Sequence, residues 1–230
     1  MLNEKPSHAV LTIGHSTRTL QEFIQLIQAR GATCVVDVRT VPRSRHNPQF
    51  NKDSLPHSLK KAGIRYIHMP GLGGLRHARP ESLNLGWRNA SFRRYADYMQ
   101  TPEFEQSLNA LIQLAKRERI VLMCAEAVPW HCHRSLIADA LLVRGIHSGD
   151  IMSATQFKVH MLTPFAKVRG AKITYPIEAP QSIPSKPPGN RCRRLPPIKK
   201  TLPTKNRKPP IVLCRGKRKN EGAKNEGQPR

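Results

Sequence analysis

Apolar residues fall into short unbroken runs that alternate with longer runs of helical period. Val10-Leu11-Thr12-Ile13 is unbroken and stops at Gly14, which predicts a first strand. Leu20, Phe23, Ile24 and Ile27 then fall at i, i+3, i+4 and i+7, one face of a helix ended by Gly31. Cys34-Val35-Val36-Asp37-Val38 predicts a second strand, β-branched and buried on both faces. A loop carrying Pro, Arg and Asn leads to a short helix around residues 54–62. A third strand follows over 64–68, closed by Pro70-Gly71-Leu72-Gly73-Gly74. Helical pattern resumes at Ser91. A further helix, entered near Pro102, has Phe104, Leu108, Leu111, Ile112 and Ala115 on its apolar side. Ile120-Val121-Leu122-Met123-Cys124 is the fourth strand, a helix runs from about His133 to Arg144, and residues 147–152 add a fifth strand. Alternation of this kind, which runs through residues 1–175, predicts an α/β domain, a mostly parallel sheet of about five strands with helices on both faces.

Composition divides the chain further. The formal charge is +24 over 230 residues, with 20 prolines. From Pro176 onward, 15 Lys/Arg face 3 acids, so about half the excess charge sits in this last quarter of the sequence. Proline pairs there lack ladder donors, like charges repel, and little apolar surface remains to offset the entropy of ordering. The expected organisation is an N-terminal extension over 1–8, the α/β domain over 9–177, and a Pro-rich, disordered basic tail over 178–230. Such a tail can bind nucleic acid or another polyanion through phosphate contacts and counterion release. Arg88, Arg93 and Arg94 beside Trp87, Phe92 and Tyr95 could add stacking from the domain itself.

No signal-like segment or run of about 18 apolar residues is present, so no membrane role is expected. Five cysteines at irregular spacings do not form a secreted disulfide framework, and reduced thiols in a cytoplasm are the simpler expectation.

In an open parallel sheet, ligands sit beyond the carboxyl ends of the strands. The residues following the predicted strands are Gly14-His15-Ser16, Asp37 and Arg39 with Ser44 and Arg45, His68 with Gly73 and Gly74, and Cys124, Glu126, Cys132, His133 and Arg134. Cys132 lies where a helix opens, a position that favours a thiolate nucleophile or a bound anion. Arg134 can grip a phosphate or carboxylate, Glu126 can act as general acid/base, and His133 or His15 can carry a proton. The plainer alternative makes Cys132 part of the helix start, pairs Arg134 with Glu126, and has nothing react. For Asp37 and Arg39, an ion pair ordering the rim stands beside a ligand-binding role. Metal binding is a weaker alternative through Cys124, Cys132 and His133, since zinc favours such donors. Nine residues separate Cys124 from Arg134 and one separates Cys132 from it, which fits no phosphatase-type cradle. The Gly turns are neither a dinucleotide fingerprint nor a P-loop, and no cofactor is named by the sequence.

Thr12-Ile13-Gly14-His15-Ser16, Asp37-Val38-Arg39 with Pro42-Arg43-Ser44, Leu72-Gly73-Gly74, and Cys124-Ala125-Glu126 with Cys132-His133-Arg134 together resemble domain-of-unknown-function family 488. Leu162–Ala166 and Ile173–Pro176 look like that family's C-terminal end. The resemblance spans about 9–177 and implies a cytoplasmic bacterial-type α/β domain with a shared site at these motifs. It implies no reaction, substrate or cofactor. Two functions follow. One is an enzyme-like domain that binds an anionic, phosphorylated or nucleotide-like small molecule at the rim, with Cys132, Glu126, His133, Cys124 and His15 as chemistry-bearing residues. Its ligand contacts would come from Gly14, Ser16, Asp37, Arg39, Ser44, Arg45, Gly73, Gly74 and Arg134. The other is a non-catalytic nucleic-acid-binding protein whose Cys/His/Arg rim is structural or metal-binding.

Overall fold

The computed structural model describes residues 10–177; the N-terminal extension and the basic tail expected from the sequence lie outside them. The first strand, β1 (Val10–Gly14), is followed by α1 (Leu20–Gln28), whose N-cap Thr19 accepts from the Glu22 amide. Next come β2 (Cys34–Asp37), α2 (Leu55–Lys61) and β3 (Arg65–His68). Two consecutive helices, α3 (Ala90–Tyr98) and α4 (Pro102–Ala115), lead to β4 (Ile120–Cys124). Then α5 (Arg134–Leu142) and β5 (Ser148–Ile151) complete the alternation.

The strands form one sheet in the order β3-β2-β4-β1-β5, extended by an antiparallel edge strand, β6 (Phe157–Val159). The expected, mostly parallel sheet is thus present as five parallel strands with one antiparallel strand added at the edge. A hairpin of β7 (Lys167–Arg169) and β8 (Lys172–Thr174) stands apart from this sheet, its turn opened by Gly170 at φ +59. Among the described residues, no helix is long and apolar enough to cross a membrane.

Alternation along the strands sorts their side chains into two cores. Leu11, Ile13, Val35, Val121 and Met123 face α1 and α2, packing on Phe23, Ile27, Leu55 and Leu59. Val10, Cys34, Val36, Ile120 and Leu122 face the other helices, packing on Tyr95, Phe104, Leu108, Leu136 and Ile137. Trp87, Phe92 and Tyr95 belong to this second core. Tyr95 is fully buried and half-buried Trp87 packs on Phe92, Phe165 and Tyr175, so these aromatics are used chiefly in the core.

The segment after β6 is anchored to α5 by one carboxylate. Buried Asp139 accepts from His160 Nε2 at 2.8 Å, from the Thr163 amide and hydroxyl at 3.1 and 2.6 Å, and from the Tyr175 hydroxyl at 2.9 Å. Both C-terminal motifs thus have an architectural use.

Register decides where the polar ends fall. Gly14 pairs across to Cys124, and Asp37 pairs to Met123 on one side and His68 on the other. Four strands therefore finish nearly level and deliver their following residues to one edge.

Candidate functional site

At that edge the chain makes close backbone approaches that only glycine permits. A Cβ on Gly14 would stand 1.7 Å from the Glu126 carbonyl oxygen, and one on Gly74 would stand 2.6 Å from His133 Nδ1. Gly14 thereby brings the Cys124–Glu126 turn against β1, and Gly74 lets the His133 ring seat.

On the β2 side, Asp37 and Arg39 form a buried ion pair. Arg39 Nε donates to Asp37 Oδ1 at 2.9 Å and Nη2 to Oδ2 at 2.6 Å; Nη2 also reaches the Phe50 carbonyl at 2.7 Å. The Tyr66 hydroxyl donates to Asp37 Oδ2 at 2.7 Å. Arg39 Nη1 donates to His15 Nε2 at 3.2 Å, so His15 Nδ1 donates to the Ser16 carbonyl at 2.9 Å. Burial lowers the His15 pKa to about 4, and its ring stacks on Phe50 at 4.3 Å. At neutral pH His15 is an uncharged acceptor holding Arg39 in place.

On the α5 side, Arg134 is 1% exposed. Its Nη1 donates to Thr12 Oγ1 at 3.0 Å, Nη2 to the Glu126 carbonyl at 2.7 Å, and Nε to Cys132 Sγ at 3.3 Å. The Thr12 hydroxyl in turn donates to Asp150 Oδ1 at 2.5 Å. No carboxylate pairs directly with Arg134 among the described residues; buried Asp150 reaches it through the Thr12 hydroxyl, and the Cys132 sulfur is the directly bonded partner able to carry charge. Arg134 thus meets Glu126 through the main chain rather than the carboxylate, and its three donor nitrogens are already occupied.

His133 Nε2 donates to the Val38 carbonyl at 3.0 Å, which leaves Nδ1 3.7 Å from Cys132 Sγ; Nδ1 donates to that sulfur when the ring carries both protons and accepts from it when the ring is neutral. Cys132 precedes the helix cap, His133, and is held by side chains, the expected helix beginning one residue later than His133. Its thiol is held well below the ordinary range, first by a hydrogen bond from Cys124 and then by His133 and the Arg134 charge, against the opposing effect of burial. Cys124 is pushed the other way, by donating to Cys132 and by burial. The two thiols therefore titrate as a linked pair. Cys34, in the core, is raised to about 11 by burial and stands apart from this chemistry.

Cys124, Cys132 and His133 have their donor atoms within 4.8 Å of one another, so these three could hold a soft ion such as zinc. They line a hollow of about 320 Å3 together with Glu126, Arg39 and Gly74. A second hollow of about 330 Å3, lined by His15, Ser16, Arg43, Ser44 and Asn47, shares Arg39, Val41 and Ala125 with the first.

The sequence matches the family Domain of unknown function DUF488 over residues 19–141. The chain belongs to that family. The DUF488 match takes in Asp37, Arg39, Gly74, Cys124, Cys132 and Arg134. Gly14-His15-Ser16 and the two C-terminal motifs, included in the resemblance over 9–177, fall outside it. No curated protein and no solved structure matches the chain.

Within this DUF488 domain, most of the rim residues expected from sequence do converge. Arg45 does not: it is exposed and lines neither hollow, whereas Arg43 lines the polar one. Ser44 is partly spent on its own loop, its hydroxyl accepting from the Asn47 amide at 3.0 Å. Gly73 serves the turn that seats Gly74, with its amide bonded to the Pro70 carbonyl. Thr12 and Asp150 were missed. Each is a polar residue inside a strand buried along its whole length, and that alone signals a required partner.

Proposed function

We propose that the domain is an enzyme whose reactive group is the Cys132 thiolate and whose ligand is an anionic small molecule bound at the carboxyl edge of the sheet. One observation carries this reading: a buried guanidinium, Arg134, is balanced directly by the Cys132 sulfur and not by a carboxylate. A buried guanidinium stabilises negative charge at the atom it touches, so the direct contact favours the ionised, nucleophilic sulfur, while Asp150 stands one hydroxyl away through Thr12. His133 orients it, Glu126 is available as general acid/base across the hollow, and Arg43 and the Ser16 turn offer donors to an anionic group. Reduced thiols at such a centre fit a cytoplasmic setting. The basic tail over 178–230 would bring the domain to nucleic acid or another polyanion, a separate property that truncation would remove without altering Cys132.

The test is the rate of Cys132 alkylation by iodoacetamide against pH, followed by peptide mass, with and without prior chelator treatment. The expected half-maximal rate lies clearly below the ordinary thiol value of about 8.5, and Cys132→Ser abolishes that modification. An ordinary value overturns the reading in favour of a structural rim. Acceleration by chelator overturns it in favour of metal held by Cys124, Cys132 and His133.

A further inference from the structure

Cys124 has no evident use in simple nucleophilic chemistry, yet it stands at the end of β4 with its sulfur within 4.8 Å of the Cys132 donor atom. An acyl- or phosphoryl-transfer nucleophile needs a base and an electrophile-binding site; it does not need a second buried thiol. A thiolate that attacks disulfides does, because the mixed disulfide formed first must be resolved by a neighbouring sulfur. Cys124 meets the demands of that neighbour. It lines the same hollow and, among the described residues, is the other thiol that does so, Cys34 lying in the core between β2 and its helices.

The substrate class follows from what adjoins the thiols. The polar hollow meets the thiol hollow at Arg39, Val41 and Ala125, and Arg43, Ser44 and Asn47 line its far side, with no acidic side chain among its lining residues. A small disulfide with its sulfurs over Cys132 would direct its substituents toward Arg43, the arginine there that no carboxylate neutralises in the hollow. Carboxylate-bearing substituents are favoured there and ammonium-bearing ones are not.

We propose that Cys132 and Cys124 form a thiol–disulfide couple that exchanges with anionic low-molecular-weight disulfides; this rests on Cys132 being the reactive thiolate. In the first step the Cys132 sulfur bonds to one sulfur of the substrate, the substrate S–S bond breaks, and one substituent leaves as a thiolate. In the second step the Cys124 sulfur bonds to Cys132 Sγ, the mixed disulfide breaks, and the second substituent leaves as a thiol carrying the Cys124 proton. The protein gains one disulfide and loses two electrons, and the substrate becomes two thiol equivalents. The return reaction uses the same thiols in excess.

The experiment treats the reduced full chain with glutathione disulfide, which is anionic, and separately with cystamine, which is cationic, and follows intact mass and linked peptides. The expected product is the chain short of two hydrogens, with Cys124 linked to Cys132. Cys124→Ser stops at a stable glutathione adduct on Cys132, and Cys124→Ala checks that the arrest does not come from the serine. Glutathione disulfide reacts about tenfold faster than cystamine at low salt, and Arg43→Ala narrows that ratio. A persistent adduct in the unsubstituted chain, or a disulfide mapping instead to Cys34, Cys192 or Cys214, overturns the couple. Equal rates for the two reagents overturn the substrate class. If Cys132 still alkylates at low pH while no Cys124–Cys132 link forms, the thiolate reading stands and only this inference falls. If Cys132 behaves as an ordinary thiol, both fall.

Discussion

Arg39 and Arg134 are both buried at the carboxyl edge of one sheet, and their charges are met in different ways. Arg39 faces Asp37, a carboxylate on its own strand end, in a two-contact ion pair further tied by Tyr66, His15 and the Phe50 carbonyl. Arg134 faces a hydroxyl, a carbonyl and a sulfur. The carboxylate is ionised in any ordinary environment, so the first arrangement needs nothing special and does nothing chemical. The sulfur must be drawn into ionisation by its surroundings, and the second arrangement therefore leaves a nucleophile facing a hollow. One guanidinium builds the rim, and the other prepares the atom that reacts.

The contrast breaks first at Asp37. Replacing Asp37 with Ala leaves Arg39 buried without a counter-charge, and removing one partner of a buried pair costs about 3–5 kcal/mol. Urea unfolding of the full chain at pH 7 measures this. A loss well under about 1 kcal/mol would mean that the Arg39 side chain escapes to solvent and that the pair does not order the rim.

How much of this arrangement was readable beforehand depended on whether the signal was local. Ile120–Cys124 is apolar throughout and buried throughout, and the run of apolar letters coincides with the strand. Phe157-Lys158-Val159 forms a strand only because Gly149, opposite it, leaves room for the Phe157 ring, and that pairing is invisible in three residues with a lysine at the centre. The same holds for the hairpin Lys167–Arg169 with Lys172–Thr174, where Ile173 is the buried residue. At the site, residue types at strand ends were enough to name Cys132, His133 and Arg134. They could not tell that Arg134 is enclosed, because an arginine at a helix start normally reads as surface. Nor could they tell that Arg43 lines the polar hollow in place of Arg45, which depends on how one loop turns.

His15 sharpens the Arg39 half of the comparison. Its folded pKa of about 4 lies below the ordinary value of 6.5, so it folds neutral while the unfolded chain binds a proton on falling through that range. Stability from this group is complete above pH 6.5 and is lost as pH falls toward 4, by up to about 3 kcal/mol at about 1.36 kcal/mol per unit. Charges facing the ring are Arg39, Asp37 and Arg134. His15→Phe keeps the stack on Phe50 and cannot titrate. The difference in urea midpoint between the two proteins should therefore shrink as pH is lowered from 6.5 to 4. A difference constant across that window would mean that His15 is protonated in the folded chain.

The smallest effect falls on the Arg134 half. Cys132→Ser keeps an acceptor near Arg134 Nε but replaces an ionisable sulfur with a neutral hydroxyl, so what is lost is chiefly charge, about 1–2 kcal/mol at neutral pH. The direction with pH follows from the lowered thiol. A group held below its unfolded value contributes stability that is complete above the ordinary thiol range and lost as pH falls through its folded value. The unsubstituted protein and Cys132→Ser should therefore differ most near and above neutrality and converge once acid protonates the sulfur. Parallel pH profiles for Cys132→Ser and the unsubstituted protein would mean that the sulfur is neutral beside Arg134, and the two guanidiniums would then differ only in which side of β4 they occupy.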